Sequence, residues 1–131
     1  MENKVVPINF SSGRFEAFNV YSGILEDTDV IEERRVGIAF LRGGSNVFSM
    51  RLWMFPAQKY FVAPVNDDQE KYEILTFEEY NTRDGEAKSQ WHRVGKAEYF
   101  GNYLKLKFHL LERDIFLSLF PNRKEPFNAT G

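Results

Sequence analysis

Tyr103-Leu104-Lys105-Leu106-Lys107-Phe108-His109-Leu110 alternates polar and apolar side chains without a break. Successive side chains of a β-strand point to opposite faces, so this stretch puts Leu104, Leu106, Phe108 and Leu110 on one side and Tyr103, Lys105, Lys107 and His109 on the other. A helix, with its period of 3.6, gathers neither set onto one stripe. The same rhythm recurs upstream, where Phe48, Met50, Leu52 and Met54 alternate with Ser49, Arg51, Trp53 and Phe55. Downstream, Ile115, Leu117 and Leu119 alternate with Phe116, Ser118 and Phe120. Further strand candidates are 15–21, 35–41, 59–63, 72–77 and 90–99.

Turn chemistry separates these runs. Gly43-Gly44-Ser45-Asn46 and Gly101-Asn102 are expected to close hairpins, and Asp84-Gly85 is the expected tip of a longer one. Phe55–Gln58 and Glu112–Asp114 read as tight connections between facing strands. The acidic stretch from Ile24 to Glu33 reads either as a loop or as one helical turn capped by Asp27 or Thr28. Residues 66–70 read as a second acidic loop. The tail from Pro121 to Pro126 is expected on the surface, with Thr130 and Gly131 mobile. The fold class that follows is all-β: a small barrel or sandwich of antiparallel strands in one domain spanning residues 1–131.

Two segments share an order of features. Residues 36–64 begin Val36-Gly37-Ile38-Ala39 and run through a glycine turn, an alternating strand and an aromatic strand to Pro64. Residues 94–121 begin Val94-Gly95-Lys96-Ala97 and follow the same order to Pro121. This predicts an internal repeat of two related three-stranded meanders. A lone three-stranded meander has an apolar face that it cannot bury, whereas two of them can shelter each other's. In that alignment Arg51 matches Lys107, and Trp53 matches His109.

The residues Val94-Gly95-Lys96-Ala97, Gly101 to Lys107 and Ile115 to Phe120 resemble a small all-β family of uncharacterised proteins encoded on bacterial mobile elements. Where that family carries a tryptophan after the alanine, this chain has Glu98. The resemblance implies a small β fold and no assigned activity.

Composition narrows the function. The 131 residues include no cysteine, which excludes disulfides, thiolate metal sites and cysteine nucleophiles. The start of the chain shows no basic segment followed by a long apolar run, and no stretch reaches the roughly 20 apolar residues of a membrane helix. A cytoplasmic protein without membrane contact is the expectation. Asn128-Ala129-Thr130 matches a glycosylation sequon but has no meaning without export. A net charge of −2 argues against a dedicated duplex-DNA binder.

Catalytic patterns are missing. His92 and His109 have no spacing that marks a metal pair, Gly43-Gly44 lacks the Lys-Ser/Thr of a phosphate loop, and no serine sits in a strand-to-helix elbow. Neighbouring glutamates such as Glu78-Glu79 point to opposite faces of a strand. The expectation is a non-enzymatic protein with no cofactor and no metal.

Binding then falls to the polar side of the alternating strands. Arg51, Trp53 and Phe55 in one half, and Tyr103, Lys105, Lys107 and His109 in the other, form the expected surface, with Arg42, Lys59 and Lys96 at its rim. Exposed aromatics beside cations suit a protein partner or a homo-oligomer. The alternative is single-stranded nucleic acid, stacked on the rings and tracked by the cations. If both faces of the sheet are covered, Trp53 and Phe55 are core instead.

Overall fold

A computed structural model describes residues 15–66 and 68–122. Eight antiparallel strands follow one another round a closed barrel. They are β1 (Phe15–Glu26), β2 (Asp29–Arg42), β3 (Phe48–Leu52), β4 (Phe55–Val65), β5 (Asp68–Asn81), β6 (Ala87–Phe100), β7 (Tyr103–Phe108) and β8 (Ile115–Pro121). Each pairs with its sequence neighbours, and β8 pairs with β1 to close the ring. The choice between barrel and sandwich is thereby a barrel.

The interior is what the alternation predicts. Met50, Leu52, Leu104, Leu106, Ile115 and Leu117 point inward, joined by Val20, Val62 and Ile74, and most of them are fully buried. Phe18 meets Phe48 edge-on at 5.6 Å, and Tyr60 meets Phe108 at 5.3 Å. These buried side chains form one continuous apolar cluster inside the ring. Met54 and Leu110 break the pattern. Both lie in turns and are among the most exposed apolar residues, 71% and 88%.

Two expected connections move. The turn between β3 and β4 is Trp53-Met54, not Phe55–Gln58, because Phe55 already pairs with Leu52. The acidic stretch 24–33 is neither loop nor helix. It is the end of a β1–β2 hairpin that turns at Asp27, whose φ is 58°. The expected acidic loop at 66–70 shrinks to a tight turn at Asn66, since β5 begins at Asp68. Gly85, with φ of 82°, sits in the turn expected for it. The tail beyond Asn122, the sequon included, lies outside the described residues.

Glycine solves the same packing problem twice. Gly37 pairs with Val20 and Leu52, and Gly95 pairs with Ile74 and Phe108. A Cβ on Gly37 would collide with the carbonyl of Arg51, and one on Gly95 would lie 2.5 Å from that of Lys107. Beside each glycine a bulge slips the register, between Val20 and Tyr21 in one case and between Ile74 and Leu75 in the other. The following turns match as well. The Trp53 amide donates to the Val36 carbonyl and the His109 amide to that of Val94, both at 2.8 Å.

Strands β1 and β2, and again β5 and β6, are longer than the barrel needs. β1 pairs with β8 only as far as Ser22, and β2 meets β3 only from Gly37. Beyond those points residues 23–35 pair, among the described residues, with each other alone and form a first arm. Likewise β4 reaches Thr76 and β7 reaches Gly95, leaving residues 77–93 as a second arm. In an up-and-down ring both arms leave from the same end, on opposite sides.

Candidate functional site

The first arm bends over the barrel wall. A second register slip between Ser22 and Gly23 turns it toward β8. There the Tyr103 hydroxyl donates to Glu32 at 2.5 Å, and Arg113 donates to Glu33 at 2.9 Å and to the Gly23 carbonyl at 3.3 Å. Phe116 points outward, beside Lys105 in register, yet is only 1% exposed. Tyr103 packs edge-on against it at 6.2 Å. Burial, then the Glu32 hydrogen bond and charge, push the Tyr103 phenol up to about 12.

Closing the sheet separates the residues singled out from the sequence. β3 and β7 stand four strands apart round the ring, so Arg51, Trp53 and Phe55 lie on the wall opposite Tyr103, Lys105, Lys107 and His109. They form no common platform. Equivalent strands of two sequential halves necessarily fall on opposite sides of an eight-stranded ring. Arg51 is exposed on β3. Trp53 is half exposed in its turn, with the Arg35 guanidinium 5.7 Å from its ring centre, so it is not core. Phe55 opens β4 at 38% exposure. On the other wall Tyr103 is taken up by Glu32, while Lys105 and Lys107 reach Glu98 and Asp114, each at 3.5 Å. His109 is exposed in the β7–β8 turn, its amide on the Val94 carbonyl of the neighbouring β6, and His92 two residues along β6 is engaged by Glu78 at 2.8 Å. Of the rim cations, Arg42 stacks over Phe15 and Lys59 over Phe61, at 5.3 and 5.7 Å.

A different surface emerges on the outer face of β4 to β6. Phe77 and Trp91 are register partners at the root of the second arm, with ring centres 4.9 Å apart. Phe61 on β4 completes the cluster, edge-on to Trp91 at 5.3 Å. Trp91 remains 52% exposed and Phe77 39%. Nothing among the described residues covers these rings as Tyr103 and the first arm cover Phe116. No family model, curated protein or solved structure matches the chain.

The bulge explains why this cluster is hard to see in the sequence. Trp91 and Arg93 face outward at odd positions, but Val94 is the extra residue, and beyond it Lys96 and Glu98 face outward at even ones. A strict period of two therefore assigns one half of β6 to the wrong side. The available signal is the Val94-Gly95 pair itself, which marks where the parity changes.

The arms differ in charge. The first carries Glu26, Asp27, Asp29, Glu32 and Glu33 against Arg34 and Arg35. The second mixes Glu78, Glu79, Asp84 and Glu86 with Arg83, Lys88 and Arg93. Among the described residues no group of acids and histidines is arranged to hold a metal ion.

Proposed function

We propose that this protein is a non-enzymatic association module that binds a second copy of itself through the second arm and the Phe61–Phe77–Trp91 face. The observation that carries the reading is Trp91, wedged between two rings yet half open to water at the base of a ribbon whose strand edges have no neighbour among the described residues. Exposed aromatics of this kind are enriched at the centres of protein interfaces. Free edges of a two-stranded ribbon accept a further strand by ordinary backbone pairing.

A second copy is favoured as occupant because the arm carries both signs of charge. Across a two-fold axis each residue meets the partner's equivalent patch, so mixed charges can be matched. The acidic first arm would repel its own copy. The reading as a non-enzyme is supported by how the carboxylates are used: Glu73 pairs with Arg93, Glu98 with Lys105 and Glu78 with His92. No hydroxyl joins the His92–Glu78 pair among the described residues.

The same proposal takes the two halves as copies of one unit, now of four strands rather than three. The paired glycines, the bulges beside them and the equal Trp53 and His109 hydrogen bonds support it.

Light scattering across a concentration series tests the function. The intact protein should pass from one mass to twice that mass, and Trp91→Ala should move the midpoint at least tenfold higher in concentration. Trp53→Ala, on another part of the wall, should leave it in place. A protein that stays monomeric at the highest soluble concentration, or a dimer indifferent to Trp91→Ala, rules the reading out.

A further inference from the structure

A groove of about 420 Å³ crosses the outer face of β5 to β7. Lys71, Lys96, Lys105, Lys107 and Arg93 line it, set against Glu73 and Glu98. This concentration of positive charge stands out on a chain whose net charge is −2.

The register gives the cations a definite layout. Lys71, Glu98 and Lys105 form one row across three strands, and Glu73, Lys96 and Lys107 form the next. Rows two residues apart along a strand are separated by about 7 Å. Within the second row Lys96 and Lys107 are direct partners. Like charges placed directly opposite destabilise a sheet. Lys107 is partly offset by Asp114, while Lys96 has no ion pair among the described residues. Glu73 stands opposite Lys96 on its other side but is held by Arg93 at 3.0 Å, so the two ammonium groups keep positive charge that a bridging anion would balance.

We infer that the groove is a binding site for the phosphodiester backbone of a single-stranded nucleic acid, with Lys96 and Lys107 holding one phosphate and Lys71 the next, while Lys105 offsets the Glu98 carboxylate between them. Ammonium groups bind phosphate as compact point charges with rotatable donors. Two rows at this spacing suit successive phosphates of an extended strand. A duplex would need a broader basic footprint than this acidic protein offers. The site lies within one chain, so it does not depend on self-association.

The test is fluorescence anisotropy with a labelled oligothymidylate, at low and at moderate salt. The protein should bind it, and affinity should fall with salt with a logarithmic slope of about −1.4, since each of the two neutralised phosphates of a single strand contributes about −0.7. Lys96→Glu and Lys107→Glu should each weaken binding at least tenfold. Arg34→Glu, exposed on the first arm, should change it less than twofold. A monomeric Trp91→Ala protein should keep its Lys96-dependent binding, which separates this site from the dimer interface. No binding at low salt, equal loss from Arg34→Glu, or preference for duplex over single strand overturns the proposal. A protein bound as well by inorganic polyphosphate as by the oligonucleotide carries a general anion site, and that result overturns it too.

Discussion

The Tyr103 hydroxyl on β7 donates to the Glu32 carboxylate on β2, reaching past β8 and β1 to do so. The bond pins the first arm against the barrel wall, and with Arg113 it closes over the outward ring of Phe116. One arm is thus lashed down and the other is left uncovered.

This bond makes stability depend on alkaline pH. A tyrosine in an unfolded chain ionises near 10, whereas Tyr103 and Tyr72 are both raised to about 12. Tyr72 is raised first by burial and then by the Tyr99 hydroxyl 3.0 Å away. Below pH 10 both states hold the proton and the contribution is complete. Between about 10 and 12 the unfolded chain loses its protons first, so the folded state should weaken across that window. Urea melts at stepped pH should show it, and Tyr103→Phe should flatten the slope. A stability flat from pH 9 to 12 contradicts the assignment.

Loosening the tether should free the arm without unfolding the barrel. Arg113 and Glu33 are both largely exposed, so Arg113→Ala should cost about 0.5 kcal/mol globally. Amide exchange should nonetheless quicken in residues 23–35 while the β3–β4 amides keep their protection. Uniform acceleration throughout the chain would mean the arm is not an independent unit.

The paired glycines should be intolerant of even one carbon. Gly95→Ala drives a Cβ against the Lys107 carbonyl and within 3.0 Å of the Phe108 Cα, both backbone atoms that cannot swing aside. Such overpacking costs about 1–3 kcal/mol, and Gly37→Ala should behave alike. Chemical denaturation that finds either variant as stable as the parent would show that β6 or β2 moves off more easily than the register implies.

Within a single alternating stretch, neighbours in the pattern should differ sharply. Leu106→Ala empties a fully buried position and should cost about 2–5 kcal/mol. Leu110→Ala removes an apolar side chain from an exposed turn and should stay within about 0.5 kcal/mol. Equal effects would contradict the inward set described for β7.

These particulars mark how far the residue pattern could be read. Alternation at Phe48–Leu52 and Tyr103–Phe108 is enough to name strands and their buried sides, because a strand has only two faces. Closure of the ring was not visible, since it depends on β8 finding β1, a pairing between residues about a hundred positions apart in sequence. That pairing decides which outward residues are neighbours, and it parts Trp53 from His109. The bulge at Val94 hid the aromatic face, because one extra residue inverts every later position on its strand. Lys105 and Lys107 were legible as outward cations and Lys96 as a charge at their rim; that Lys71 joins them follows only from the register of three strands.

Closing the barrel has a last consequence for how the molecule behaves in a crowded solution. Within the ring every strand has a neighbour on each side, so the ring offers no template on which another chain could grow. Open templates remain on the ribbons, and there the acidic side chains Glu26, Glu32, Glu78 and Glu79 act as gatekeepers against runaway fibre growth. Neutralising Glu78 and Glu79 together should make the protein gel sooner on storage than the parent, as turbidity over time would show.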